Sequence, residues 1–314
     1  MSMENPKHIL TYGDAFIDYI AVNTENNQFN RHLGGATVNV AAGASRLGMP
    51  SKFITITGDD DTSAFVRQEL ENEGVDLSYS IIVPEKRVSG VYVHFTPDYD
   101  RIFAKYENET PDLQVTAQDL VEEAFKDASV FHMCTGTMFH PEALKTTLEA
   151  VRLAKEGGAL CSFDVNIRPL RWGSEEQCRA TVFRFLADVD ILKLTTDELA
   201  FLMETDSVEK GIDRLSEFDI PLVFLTDGEN GTHALFEGEN FHVPVVPVQP
   251  VDTTGAGDAF VAGTLRYIHL NGLPKTRAEV VDCAIFANKL GALCTTKHGA
   301  LTAMPRLEDL ERLS

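Results

Sequence analysis

The sequence predicts an α/β protein: βαβ units build a parallel sheet, and a second, smaller antiparallel β layer lies beside it. Three observations carry this. Short β-branched runs alternate with stretches of helical periodicity along most of the chain. Two stretches break that rhythm with the two-residue alternation of strands. The 314 residues are 44% hydrophobic and no Pro/Gly/Ser-rich or like-charge linker divides them, so one main domain over 1–314 is expected, with a large core.

In chain order, His8 to Tyr12 reads as a strand, Thr37 to Leu47 as a helix, Lys52 to Thr57 as a strand and Ser63 to Glu73 as a helix. Val130 to Met133, Pro141 to Lys155 and Leu160 to Asp164 repeat strand, helix, strand. Thr116/Asp119, Ser174/Gln177 and Thr276/Glu279 have capping-box spacing and mark helix starts, because their side chains satisfy orphan backbone donors of a first turn. The interruptions are 18–33 and 88–106. In the second, VSGVYVHF and RIFAKY alternate apolar and polar residues around a turn at Pro97-Asp98-Tyr99-Asp100. Inserted between βα units, this layer would form a flap over the mouth of the main sheet, where open α/β folds bind ligands.

Asp and Glu number 48 against 27 Lys and Arg, a net charge of −21 that repels nucleic acid backbones and anionic lipid. No nucleic acid or membrane partner is expected. The five cysteines (Cys134, Cys161, Cys178, Cys283, Cys294) are widely spaced and form no CxxC pair, which argues against a disulfide framework or a zinc ribbon and for a reducing cytoplasm. No window reaches the ~20 apolar residues of a membrane span. The sequons at Asn108 and Asn230 therefore read as coincidental.

The segment Asp252-Thr253-Thr254-Gly255-Ala256-Gly257-Asp258-Ala259-Phe260 opens an apolar helix running to Tyr267. Small residues before a helix present backbone N–H groups at its positive end, suited to the charge of a transferred phosphoryl group. Asp258, in the first turn, would stand beside that anion site as a general base for a substrate hydroxyl. Taken alone, the same residues read as a glycine turn followed by a dipole-favoured acid. No G-x-x-x-x-G-K-[ST] loop, dinucleotide fingerprint or EF-hand spacing is present.

DTTGAGDAFVAG closely resembles the C-terminal signature of the ribokinase-like (PfkB) sugar-kinase family, and Gly34-Gly35-Ala36-Thr37-Val38-Asn39, followed by Gly48 and Gly58, resembles its N-terminal one. The resemblance implies a doubly wound, mostly parallel sheet flanked by helices with a small β-sheet lid, and transfer of the ATP γ-phosphoryl group to a sugar hydroxyl. It implies Asp258 as catalytic base and the amides of Gly255, Ala256 and Gly257 as the anion hole. Asp18, Gly34, Gly35 and Asn39 would bind sugar hydroxyls, with Asp14 beside them. Asp164-Val165-Asn166-Ile167-Arg168-Pro169-Leu170-Arg171-Trp172 resembles the D-x-N-x-R-x-x-x-W segment of the fructokinase and 2-keto-3-deoxygluconate kinase branches; Arg168 offers a planar fork to phosphate or substrate.

The N-x-x-E motif of the family aligns with Thr195 to Glu198, so Glu198 is expected in a Mg2+ network although Thr195 replaces the Asn. Thr226, Gly228 and Gly231 match its T-x-G-x-x-G turn at the nucleotide, and Asn288 falls at the adenine side. Asp252 and Thr254 with Cys294, Lys297 and Gly299 align with a monovalent-cation site, for which K+ is the expected ion, although Ala303 stands where a Ser is common. The lid segment Arg101-Ile102-Phe103-Ala104-Lys105-Tyr106 lacks the Tyr-Tyr-Arg cluster of the ketodeoxygluconate branch. Fructose, giving fructose 6-phosphate, is the expected acceptor; 2-keto-3-deoxygluconate kinase and a catalytically silent sugar sensor stay as alternatives. A homodimer paired through the lids is a further implication of the resemblance.

Overall fold

The structure, a computed structural model, describes residues 7–97 and 101–313. The N-terminal half begins β1 (His8–Tyr12), β2 (Phe16–Ala21), β3 (Phe29–Gly34), helix α1 (Ala36–Arg46), β4 (Ser51–Ile54), β5 (Ile56–Thr57) and α2 (Asp61–Asn72). It continues through β6 (Val75–Asp76), β7 (Ile81–Ile82), β8 (Ser89–Phe95), β9 (Arg101–Glu107), α3 (Glu122–Lys126), β10 (Ala128–Cys134) and α4 (Pro141–Gly157). The rest comprises β11 (Leu160–Asp164), α5 (Glu175–Leu186), β12 (Ile191–Thr195), α6 (Thr196–Met203), α7 (Val208–Ser216) and β13 (Leu222–Thr226). The chain closes with β14 (Thr232–Phe236), β15 (Glu239–Val243), α8 (Ala256–Asn271) and α9 (Arg277–Cys294).

Among the described residues the main sheet has nine strands in the order β15-β14-β13-β12-β11-β10-β1-β4-β6. All neighbours from β13 to β6 run parallel, and β14 and β15 extend the sheet as an antiparallel hairpin. Alternate residues of one strand enter different cores, as the two-residue strand period requires. Leu192 and Leu194 of β12 join Phe163, Phe185 and Leu199 on one face, and Ile191 joins Phe224, Phe260 and Leu290 on the other. Helices α3–α7 cover the first face and α1, α8 and α9 the second, so the sheet is doubly wound.

The sequence expectation of an antiparallel second layer needs correction. The four-stranded small sheet, ordered β3-β2-β8-β9, is mixed: β2–β3 and β8–β9 are antiparallel hairpins, but β2 and β8 run parallel. A long crossover through α1, β4 and α2 separates β2 from β8, which is what a parallel pairing needs. Of the turn expected at 97–100, Asp98, Tyr99 and Asp100 lie outside the described residues. Thr116/Asp119 does form a capping box, but over a single 3-10 turn at Ala117–Asp119, and α3 starts separately at Glu122. The box at Thr276/Glu279 caps α9, whereas Ser174 caps α5 with its hydroxyl alone.

Candidate active site

The parallel strands deliver their C-terminal ends to one rim. Asp14 follows β1, Asp164 closes β11, Thr195 ends β12 two residues after Lys193, and Thr226 ends β13. The N-terminus of α8 points to the same place. Its cap, Gly255, has φ 81°, a left-handed backbone that only glycine adopts readily, and a Cβ there would meet Ala300 at 2.8 Å. The Ala256 amide donates to Thr253 O at 3.2 Å, so of the three expected anion-hole amides only those of Gly255 and Gly257 lack a partner among the described residues. That narrows the sequence expectation: Ala256 closes the turn that aims the other two.

Asp258 sits buried in the first turn of α8, and its Oδ2 accepts a 2.7 Å hydrogen bond from Asn39 Nδ2 of α1. Burial raises its carboxyl to about 7; the Asn39 bond opposes this, Asp164 adds to it, and Lys193 and Arg168 oppose it. A carboxylate poised near neutrality is suited to taking a proton and later releasing it. Asn39 Oδ1 is buried without a partner among the described residues, an acceptor that a hydroxyl donor would satisfy. Sequence spacing could not reveal this pair, because its members lie 219 residues apart.

Lys193 is the residue that sequence reasoning missed. Its ammonium is buried and pairs with Asp164 Oδ1 at 3.0 Å, and a Cβ on Gly257 would come within 3.0 Å of Nζ. A cation therefore stands against the glycine whose amide is open. Burial works against its charge, but Asp164, Glu198 and Asp258 outweigh burial and raise its pKa. The available signal was a lysine inside the otherwise apolar strand Ile191-Leu192-Lys193-Leu194, a position that charged residues occupy only when paired.

Asp18 and Asp14 face the other side of the rim. Neither carboxylate has a hydrogen bond among the described residues, and burial raises both pKa values, opposed at Asp18 by His32 and at Asp14 by Lys86, Arg171 and His140. Gly34 lies directly behind Asp18: a Cβ would come to 2.5 Å from Oδ2. Gly35, at φ 122°, caps α1 and packs on the Asp14 carbonyl. Arg168 is exposed and spends one N–H on Ile167 O at 3.0 Å, and the rest of its fork has no hydrogen bond among the described residues.

Glu198 is half-buried with both oxygens occupied: Oε1 accepts from Ile167 N at 2.8 Å and Oε2 from Thr195 N at 2.9 Å. Thr195 Oγ1 accepts from Glu198 N in return, so the Thr that replaces the family Asn is the N-cap of α6 in a capping box. Burial raises the Glu198 pKa; Lys193 opposes and Asp164 reinforces the shift. Thr226 donates to Leu194 O, and Gly228 and Gly231 both have positive φ in the tight turn that follows.

Asn288 is buried in α9: its Oδ1 accepts from Thr232 Oγ1 at 2.7 Å and its Nδ2 donates to Val243 O and Pro244 O, so this amide ties α9 to the hairpin. Asp252 takes Thr254 N and Oγ1 on Oδ1 and Gly299 N on Oδ2, clasping the loop after α9 to the turn before α8. The Cys294 thiol donates to Thr254 O, the Cys294 carbonyl accepts from Lys297 N, and the Lys297 ammonium lies 3.9 Å from Asp309.

Residues 6–307 match the pfkB family of carbohydrate kinases. The chain belongs to that family. It is a phosphotransferase of the carbohydrate-kinase type, and it is 36% identical to a fructokinase of Klebsiella pneumoniae over 97% of this chain and 98% of that protein. A fructokinase-1 of Zea mays is 34% identical over 97% of each chain. Among solved structures, fructokinase from Vibrio cholerae O395 with fructose, ADP and calcium bound superposes with a TM-score of 0.87 at 32% identity, covering 98% of both chains. Aminoimidazole riboside kinase from Salmonella enterica, with its riboside and an ATP analogue, gives 0.86 at 28% identity over 98% of this chain and 99% of that one. Family membership and the rim geometry agree on phosphoryl transfer as the class of chemistry.

Proposed function

We propose that this kinase transfers the γ-phosphoryl group of ATP to D-fructose, giving fructose 6-phosphate and ADP. The observation that carries the reading is the neighbourhood of Asp258: a buried carboxylate near neutrality, with the open amides and Lys193 beside it and the orphaned Asn39 acceptor against it. Asp258 takes the proton of the 6-hydroxyl as its oxygen bonds to the γ-phosphorus, and the bond from γ-phosphorus to the β,γ-bridging oxygen breaks, leaving on ADP. Amides of Gly255 and Gly257, the α8 dipole and Lys193 stabilise charge on the transferring oxygens. Asp18, with two unpaired oxygens, holds a pair of sugar hydroxyls; Gly34, Gly35 and Asp14 shape that end, and Arg168 reaches the phosphate side. The turn with Thr226, Gly228 and Gly231 flanks the nucleotide. The small sheet serves as a lid within one domain.

Glu198 fits Mg2+ through water only, since both its oxygens hold amides, and Mg2+ commonly keeps several waters. When bound, Mg2+ would neutralise charge on the phosphates. The Asp252 clasp, with backbone carbonyls of Cys294, Lys297 and Gly299 and the Thr254 hydroxyl, is an oxygen-only set that suits K+.

Fructose is favoured over an anionic sugar acid because two unpartnered carboxylates, Asp14 and Asp18, line the sugar end. Its cations are engaged: Lys86 donates to Leu113 O at 2.7 Å, and Arg171 is enclosed by aromatic rings. ADP formation over a panel of fructose, 2-keto-3-deoxygluconate and aminoimidazole riboside tests the reading; turnover of fructose alone supports it, and none with any sugar supports a silent sensor. We also infer a dimer through the lid, whose Val22 and Ile102 are exposed, testable by light scattering. No helix among the described residues is long and apolar enough to cross a membrane.

A further inference from the structure

Arg171 belongs to none of the roles above, yet it makes contacts that join the two layers. It closes the short 3-10 turn Pro169–Arg171 on the main body. Its guanidinium lies 4.1 Å from the ring centre of Phe139, 5.0 Å from that of Tyr106 and 5.3 Å from that of Phe16. One amino group donates to Tyr106 Oη at 2.9 Å and the other to Gly136 O at 3.3 Å. Gly136 and Phe139 belong to the main body, whereas Phe16 and Tyr106 stand on β2 and β9 of the small sheet.

The register of that sheet gives the contact its meaning. Asp18 on β2 pairs with Val91 on β8, and Val91 pairs with Tyr106 on β9. Residues in register point to the same side of a sheet, so Tyr106 lies in the same row as Asp18 and on the same face. The neighbouring row confirms the alternation, since Tyr19 stacks on Tyr92 at 4.6 Å and Lys105 lies over Tyr92 on the opposite face. Phe16, two residues before Asp18, is on the Asp18 face as well and packs edge-on against Tyr106 at 6.3 Å.

We propose that Arg171 is a positioning residue for sugar binding, a latch that fastens the Asp18-bearing face of the small sheet to the rim of the main sheet. Its planar fork is needed for the role: it stacks on rings while donating in its own plane, which an ammonium cannot do. With the latch removed, Asp18 must be ordered by the sugar itself, so sugar affinity falls while the chemistry at Asp258, built on α8, is retained. The proposal rests on the sugar site assigned above.

Arg171→Met, Arg171→Lys and Tyr106→Phe test it by steady-state kinetics and by the emission of the single tryptophan, Trp172, which packs edge-on against Phe139 at 6.5 Å and adjoins the latch. The expected result for Arg171→Met is a KM for fructose raised about tenfold, equivalent to about 1.4 kcal/mol, with kcat and the KM for ATP within about twofold. Tyr106→Phe, which keeps the ring and loses the hydroxyl, should give a smaller rise, and Arg171→Lys should not restore affinity. The Trp172 response to fructose without ATP should shift to correspondingly higher concentration. An unchanged KM for fructose, or a fall in kcat without one in affinity, overturns the latch. Should Arg171→Met not fold, Tyr106→Phe on its exposed strand decides the matter alone. If the wild type turns over another sugar of the panel instead, the fructose reading fails and the same comparison is run with that sugar.

Discussion

Replacing Asp258 by Asn removes the proposed base while leaving volume and the contact with Asn39 nearly unchanged. With its carboxyl at about 7, the group is about one-tenth ionised at pH 6 and about nine-tenths at pH 8, so kcat/KM of the wild type should rise about tenfold between them. Loss of a general base typically costs 10²- to 10⁴-fold in rate, so Asp258→Asn should lower kcat by roughly that factor and flatten the acidic limb. The limb should move when its causes are altered. Asn39→Ala deletes the hydrogen bond that opposes the upward shift, so the limb should move to higher pH. Stability carries the opposite sign to activity. The folded pKa lies above the unfolded one, so ionising Asp258 destabilises the fold as pH rises through the window from about 4 to 7. Asp258→Asn should therefore gain most in Tm at pH 8 and least at pH 4. The assay is coupled ADP release from pH 5.5 to 8.5 with thermal melts in the same buffers. Near-wild-type kcat in Asp258→Asn, or an acidic limb that survives it, refutes the assignment.

Asp18→Ala should raise the KM for the sugar far more than that for ATP, because two hydroxyls lose their acceptor; Gly34→Ala should mimic it, since the new methyl would come to 2.5 Å from Asp18 Oδ2, and equal effects on both substrates would mark Asp18 as structural. Lys193→Met should lower kcat and, by leaving Asp164 buried and unpaired, destabilise by about 3–5 kcal/mol, with part of the stability but not the activity regained in Asp164→Asn/Lys193→Met; denaturant titration and kinetics read both. Potassium replacing a large organic cation at constant ionic strength should increase activity in the wild type and not in Asp252→Ala; indifference to potassium would leave Asp252 as a clasp between loops.

What the sequence made legible follows from how local each feature is. The α8 turn was readable because Gly255, Gly257 and Asp258 are adjacent and the helix they open is apolar throughout. Asp18 and Gly34 were readable as motif members, but their steric relation depends on the pairing of β2 with β3, which spacing alone does not report. The Asp258–Asn39 bond and the Asp164–Lys193 pair each join segments brought together only by the wound sheet. The antiparallel expectation for the small sheet failed because alternation in sequence carries no strand direction. Asn288 was read by its position alone, and its hydrogen bonds to Thr232, Val243 and Pro244 join partners distant in sequence that no spacing reports. Arg171 lay in plain view in the segment around Arg168, and only the ring positions of Phe16, Tyr106 and Phe139 distinguish it from a surface charge.

The claim that organises the site is that a buried base serves a neutral ketohexose between two unpaired carboxylates. Steady-state kinetics with purified protein, ATP and Mg2+, comparing fructose with 2-keto-3-deoxygluconate, addresses it most directly. The account predicts a kcat/KM for fructose at least about tenfold higher, ~1.4 kcal/mol of differential transition-state binding, with fructose 6-phosphate as the product. A preference for the sugar acid, or phosphorylation of fructose at another hydroxyl, would contradict it.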